Sequence, residues 1–391
     1  MRILLAAKTM GVGGLERIVV ALARELQSRG HAVWVVSSGG NLVEELQRTG
    51  TTHVAAPLDI TSPLGVAQSV RQIRRLIVEH HIDLVHSFSA TASLAINLAL
   101  RVRGANGLND VRLVSSPMGL QNSPRELQVT TWLRNWFLAL GAEQILVISP
   151  EIRRHLKNVG AREGVLVDFN FVGLDVGAFR PTLAIEPSTD HYASVRREFG
   201  FPSDALIVST IGALHPRKSH ELFIEAAVTI SAAEPRARFL VIGEGMLLDD
   251  LQALTRRTNR LVGRLVFTGV REDIARLLSA TDVYVKPGVV EGFVGITVLE
   301  ALALGKPVVA FETEDVKLAL TDGETGLIVP NGDVGRLSER ILYLLENPSV
   351  GFRLGQAGQQ LVLERFDFGV LARRLEGFYE RVLERPAALT R

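Results

Sequence analysis

Apolar runs of strand length alternate with helix-period stretches along nearly the whole chain. RILLAA, AVWVVSS, LVHSF, RLVSS and QILVIS read as strands in the first half, and LIVSTIG, RFLVIG, LVFTG, DVYVKP and PVVAF in the second. Between them, apolar residues recur every three to four positions, as in Leu15–Arg29 and His220–Ala232. A strand without a polar face must be covered on both sides, so this alternation predicts parallel sheets sandwiched by helices.

The pattern starts twice. MRILLAAKTMGVGGLERIVVALARELQSRGHAVWVVSS is one strand–loop–helix–strand unit, and ALIVSTIGALHPRKSHELFIEAAVTI followed by RFLVIGEG is another. Between them GLDVGAFRPTLAIEPSTDHY is polar and proline-bearing, the composition of a linker. The expected fold class is α/β, with two doubly wound Rossmann-like domains over residues 1–178 and 179–370. Ligands are expected at strand carboxyl ends facing a central cleft. Residues 371–391 carry one more amphipathic helix, roughly Leu371–Glu384.

Composition narrows the class. A chain of 391 residues can bury two or three cores, and 47% hydrophobic with 22% charged content is globular. The absence of cysteine removes disulfides, thiolate metal sites and thiol nucleophiles together. MRILLAAKTMG is interrupted by Lys8 before it reaches signal-peptide length, and no apolar run approaches the ~18 residues of a membrane span. A cytoplasmic location is expected. Residues 1–180 carry 19 Lys/Arg against 14 Asp/Glu, and the remainder 24 against 28. The basic first half suits an anionic acceptor or a membrane surface, and equally suits ordinary scatter of charge.

The most informative stretch is KPGVVEGFVGITVLEALALGKPVVAF, residues 286–311. It reads as a strand end, a glycine-bearing loop, a helix and a second buried strand. Gly292 and Gly295 let backbone N–H groups approach a ligand at a helix N-terminus, which favours phosphate. Glu291 and Glu300 bracket this turn and would repel phosphate, so they suit hydroxyl-rich groups beside it, since a carboxylate accepts several hydrogen bonds. The implied ligand is a nucleotide sugar.

These flanks, PGVVEGF and LEALALGKPVVA, resemble the signature of glycosyltransferase family 4, retaining enzymes of the GT-B architecture. Eight residues separate Glu291 from Glu300 where the family has seven. A one-residue bulge near Val294 accounts for the difference. The resemblance spans nearly the whole chain. Gly13-Gly14-Leu15-Glu16 is similar to the family's GGxE start, which faces donor phosphate and acceptor. In GALHPRKSHELF, Gly212 opens the corresponding turn of the second half. Lys218 stands there at the place of the family's diphosphate lysine, while Ala213 replaces its arginine. Arg217 is a candidate for the missing charge, or simply part of a solvated basic turn. Val270 and Arg271 resemble the base-contacting segment.

In the first half the family's donor-sugar histidine is replaced around Pro117 and Met118, with Gly119 and Asn122 remaining as cleft candidates. His86 belongs to the sheet rim, and His31, after Gly30 at a helix end, reads as structural. Val172 replaces the asparagine of the family's hinge-proximal stretch. Trp132 and Trp136 share a helical face with Phe137 at its edge, Arg125 and Arg134 lie near them in sequence, and Arg71, Arg74 and Arg75 cluster on another helix. Such stripes suit peripheral membrane contact, although core aromatics and a solvated face are the plainer reading.

The resemblance therefore implies a retaining, metal-independent hexosyltransferase with no cofactor beyond its nucleotide-diphosphate sugar. Lys218, with Arg217, would offset charge on the leaving diphosphate. Glu291 would hold the donor sugar, aided by amides of Gly292, Phe293, Val294, Gly295, Ile296 and Thr297, and Glu300 would bind ribose. The acceptor would be a glycan or lipid-linked hydroxyl, with no nucleic acid involved. No aspartate–any–aspartate pair stands at a strand end, and Asp249-Asp250 falls in a helical pattern. A sugar-nucleotide epimerase of the same architecture and a non-catalytic nucleotide-sugar-binding homologue remain as alternatives.

Overall fold

In a computed structural model of the chain, the described residues are 1–11, 14–58, 63–101, 108, 110–117, 142–148, 150–169, 172–177, 189–288 and 295–385. The chain forms two compact units, Met1–Phe171 with Phe368–Arg391, and Val172–Asp367.

The first unit is built on β1 (Arg2–Ala6), β2 (Ala32–Ser37), β3 (Thr52–Ala55), β4 (Leu84–Ser87), β5 (Arg112–Ser115), β6 (Gln144–Val147) and β7 (Leu166–Asp168). They pair in parallel in the order β3-β2-β1-β4-β5-β6-β7. Alternate residues of β1 feed opposite cores: Ile3 and Leu5 pack on one face of the sheet, Leu4 and Ala6 on the other. This is the two-sided burial that an unbroken apolar strand requires.

The second unit contains β8 (Leu206–Ile211), β9 (Ala237–Ile242), β10 (Leu265–Gly269), β11 (Val283–Lys286), β12 (Val308–Phe311) and β13 (Leu327–Val329). These pair in parallel as β10-β9-β8-β11-β12-β13. Val283 and Val285 join one core, Tyr284 another. In both sheets the order reverses beside the first strand of the unit, which is where an open parallel sheet leaves a crevice for ligands. β3, β7 and β13, absent from the strands expected above, are short sheet edges. A partly solvated edge such as β3 lacks the continuous apolar run that marks a central strand.

The unit boundary falls at Phe171/Val172, seven residues before the expected 178/179. Val172, Leu174 and Val176 are all buried in the second unit's core, so this stretch is packed structure although its composition resembles a linker. The return passage is stitched to it, with Leu174 N donating to Phe366 O at 2.7 Å and Leu174 bridged to Asp367.

The last helix, Phe368–Glu384, belongs to the first unit from Phe368 rather than from 371. Leu371, Leu375, Phe378 and Val382, at helical spacing, pack into the core that Ile18, Leu22 and Leu26 of the helix Gly14–Ser28 also line. Burying each such side chain contributes about 1.5–3 kcal/mol relative to exposure. Polar contacts fix its register: Glu376 accepts from Arg29 Nε at 2.7 Å and pairs with His31 Nε2 at 2.8 Å. His31 is thus structural, with Gly30 before it at a φ of 87°.

Candidate functional site

In the second unit, β8 ends at Ile211 and the chain turns through Gly212 into the single 3-10 turn Pro216–Lys218. His215 closes this turn twice, accepting from Arg217 N at Nδ1 (3.3 Å) and from Lys218 N at its carbonyl (2.8 Å). Ser219 follows at a φ of 49°, leading directly into the helix His220–Ala233. The tight turn folds Lys218 back over Gly212, where a Cβ would lie 3.7 Å from Lys218 Cδ.

The loop after β9 holds this turn in place. Gly212 N donates to Ile242 O at 3.0 Å, and Leu214 N to Glu244 O at 2.9 Å. The approach is so close that a Cβ at Gly243 would stand 2.1 Å from Gly212 O, and one at Gly245 2.5 Å from Leu214 O. With φ of 136° and 157°, these two positions accept only glycine.

The other wall comes from β11. It ends at Lys286, followed by Pro287 and Gly288, and the chain re-enters the described region at Gly295, which begins the helix Ile296–Ala303. Tyr284 OH donates to Thr297 Oγ1 at 2.8 Å, tying β11 to the first turn of that helix. No side chain caps this N-terminus among the described residues.

Between these walls lies a cavity lined by Thr210 and Ile211 of β8, Lys218, His220, Tyr284 and Lys286 to Gly288 of the β11 end, and Thr297. Thr210 is 1% exposed, and its Oγ1 has no hydrogen-bond partner among the described residues. A buried hydroxyl left without a partner costs about 1–3 kcal/mol, so it favours a ligand that can complete it. Lys286 is 5% exposed and pairs with the buried Asp315, Nζ to Oδ2 at 3.2 Å. The Lys218 ammonium, the Thr210 hydroxyl and the helix N-terminus are groups whose chemistry suits an anion with several oxygens.

The residues expected from sequence divide into three groups. Lys218 and Thr297 line the cavity, with Gly212 under Lys218. Glu300 lies three residues beyond Thr297, hence on the same helix face, without lining the cavity. Arg217 is exposed and does not line the cavity, whereas Lys286 does. Val270 is 63% exposed at the end of β10. Arg271 binds Asp273 through Nε at 2.8 Å and Glu198 through Nη1 at 2.7 Å, and Arg276 joins both acids. Hydrogen bonds from Arg271, then Arg276, hold the Asp273 carboxyl well below the usual carboxylate range despite partial burial. The Arg271 side chain is therefore held in ion pairs with both acids. Glu291, Gly292, Phe293 and Val294 lie outside the described residues, as do Gly13, Met118, Gly119, Asn122, Arg125, Trp132, Arg134, Trp136 and Phe137.

In the first unit Gly14 opens the helix Gly14–Ser28, and Glu16 accepts from Thr9 Oγ1 at 3.1 Å. His86 of β4 is fully buried, with Nδ1 2.5 Å from Tyr379 OH and Nε2 2.7 Å from Ser116 Oγ. Burial pushes its imidazole down to about 3, so it stays neutral. Lys286, Asp315, Thr210 and Tyr284 were not singled out from sequence. The lysine closing the otherwise apolar run DVYVKP was the available signal, because a charge on a central strand needs a partner or a ligand.

Comparison with known proteins agrees with the architecture. A family model described as Glycosyltransferase Family 4 matches residues 12–170, and one described as Glycosyl transferases group 1 matches 205–347. A phosphatidyl-myo-inositol mannosyltransferase of Mycobacterium leprae is 26% identical over 380 residues, covering 95% of this chain and 93% of its own. The putative glycosyltransferase EpsD of Bacillus subtilis is 25% identical over 301 residues, 75% of each chain. The crystal structure of Anabaena HepE in complex with UDP superposes with a TM-score of 0.81 at 19% identity, covering 97% of this chain and 100% of that one.

Proposed function

We propose, for a chain that belongs to glycosyltransferase family 4, that it transfers a hexose with retention from a nucleoside-diphosphate sugar to a hydroxyl of a glycan or lipid-linked acceptor. The fold is GT-B, two parallel-sheet α/β units, and the activity class is glycosyl transfer. The observation that carries the substrate reading is the cavity of the second unit. There Lys218, the unpartnered Thr210 hydroxyl and the N-terminus at Ile296–Thr297 meet at the carboxyl ends of β8 and β11. That set suits a diphosphate, whose oxygens take hydrogen bonds from all three.

Two relatives support the reading. The mycobacterial relative is named for mannosyl transfer to phosphatidyl-myo-inositol, and Anabaena HepE holds UDP in its crystal structure. In the proposed reaction the bond from the sugar C1 to the phosphate oxygen breaks, and one from C1 to the acceptor oxygen forms on the same face. The acceptor proton passes to the leaving phosphate oxygen. Charge that gathers on the diphosphate as the bond breaks is offset by Lys218 and the helix N-terminus. Glu300 is assigned to the ribose and Glu291 to the donor sugar, with Gly14 and Glu16 on the acceptor side. Peripheral contact with a membrane through the first unit belongs to the same proposal, and no described helix is long and apolar enough to cross one.

Lys218→Ala tests the reading. Loss of a charge-assisted contact, about 1.5–3 kcal/mol, should weaken UDP or GDP binding by roughly tenfold to a hundredfold in a folded protein. Unchanged affinity in calorimetry would remove Lys218 from the site. In the wild-type protein, transfer from the UDP or GDP sugar should persist with EDTA and give a product of the donor's anomeric configuration by NMR.

A further inference from the structure

We infer that Met246, exposed after the carboxyl end of β9, is the residue against which the nucleoside of the ligand packs the flat face of its base. The inference rests on reading the cavity as the diphosphate site, and it assigns the ligand's other end to the β9–β10 side of that cavity.

Three observations converge on Met246. Its backbone is pinned to the turn that bears Lys218. Leu214 of that turn donates from N to Glu244 O at 2.9 Å and accepts at its carbonyl from Leu247 N at 3.1 Å, so two bonds bracket Gly245 and Met246. A Cβ at Gly245 would stand 2.8 Å from Leu214 N, which leaves no room between loop and turn. The Met246 side chain is nevertheless 76% exposed, whereas Leu247 and Leu248, next along the chain, pack against the core of the unit. The adjoining loop has the same character: Gly243 N donates to Gly269 O at 2.9 Å, and Val270, directly after, is exposed as well.

A single exposed apolar residue carries little meaning by itself. Here the meaning comes from a change of polarity along the sheet edge. At β8 and β11 the lining holds Lys218 and the buried Thr210 hydroxyl, groups that suit an anion. Beside them, after β9 and β10, the exposed side chains are a thioether and an isopropyl group on two loops bonded to each other. A nucleoside diphosphate divides in the same way, with charged oxygens at one end and a planar ring with apolar faces at the other. An unbranched thioether adapts to such a ring and makes a favourable sulfur–aromatic contact. Every base has such a face, so this contact contributes affinity for bases in general and leaves the choice among them to groups at the ring edge. The pinned backbone fixes the apolar contact relative to Lys218, so both ends of the ligand meet one preorganised piece of chain.

Met246→Ala tests the inference at an exposed position, where the fold should be kept. The variant should bind the nucleoside diphosphate (UDP or GDP, whichever the wild type takes) about three- to tenfold more weakly in calorimetry. Inorganic pyrophosphate, measured by competition with the same nucleotide, has no base and should bind the variant as it binds the wild type. A nucleotide loss of less than about threefold would overturn the inference. An equal loss for pyrophosphate would also overturn it, because the effect would then lie in the turn beneath. Lys218→Ala separates this outcome from the fate of the cavity. If it weakens nucleotide binding while Met246→Ala does not, the diphosphate reading stands and only the base contact falls. If neither variant changes affinity, the reading of the cavity falls as well.

Discussion

β4 and β11 hold equivalent places in their sheets, each beside the first strand of its unit, and each buries a basic side chain near its carboxyl end. The two ends nevertheless differ in what surrounds the polar group. His86 is neutral, bonded at both ring nitrogens to Tyr379 and Ser116, with the Phe88 ring tilted against it at a centroid distance of 4.1 Å. Tyr379 comes from the last helix, so the hydrogen bond that satisfies the histidine also locks that helix to the sheet. Lys286 pairs with the buried Asp315 carboxylate and belongs to the lining of a cavity. A buried polar group with all its partners in the protein serves the fold, whereas one that also lines an opening serves a ligand. The polar group at the strand end of the first unit is satisfied by its own chain, and the strand end of the second borders a cavity.

The largest effect that separates them is acid pH. His86 falls from an ordinary value near 6.5 to about 3 in the folded state. Below pH 6.5 the unfolded chain takes up a proton that the folded chain refuses. The stability this contributes is therefore complete above that pH and is lost as pH falls from 6.5 towards 3. The loss approaches roughly 4 kcal/mol, read as a drop in urea midpoint that is smaller in His86→Asn. An equal drop in the variant would show that other groups carry the acid sensitivity.

Tyr379→Phe comes next. It leaves a fully buried His86 nitrogen without its partner and should destabilise the protein by about 1–3 kcal/mol in urea unfolding. Nucleoside diphosphate affinity at saturating fold should stay unchanged. A weakened affinity in calorimetry would erase the distinction between a closed strand end and an open one.

The smallest effect is expected at Arg271. Its side chain is spent on Asp273 and Glu198, and it lies over the Phe199 ring at 6.0 Å. Arg271→Ala should change nucleotide affinity by less than about twofold, because the guanidinium is held in ion pairs with both acids. A larger loss would place the guanidinium in the site and make charge, rather than an opening beside it, the mark of function.

The sequence by itself determined the class of fold and the two repeats of strand and helix, and its family resemblance pointed to Lys218 and Thr297, which line one cavity. Those features are local: strand burial shows as apolar runs, a helix as period, and a phosphate turn as glycine followed by a cation at a helix start. Short edge strands escaped because half-solvated strands lose that signal. The packed stretch at Val172–Val176 escaped because its polar and glycine residues read as a linker. Only the tertiary structure set Asp315 beside Lys286, Tyr379 beside His86 and Gly243 against Gly212. Each pair is separated by 29 to 293 positions, and no periodicity along the chain records which distant groups will meet. That is decided when sheet and helices close on one another, since a buried charge or ring nitrogen must then find its partner among whatever the fold brings near.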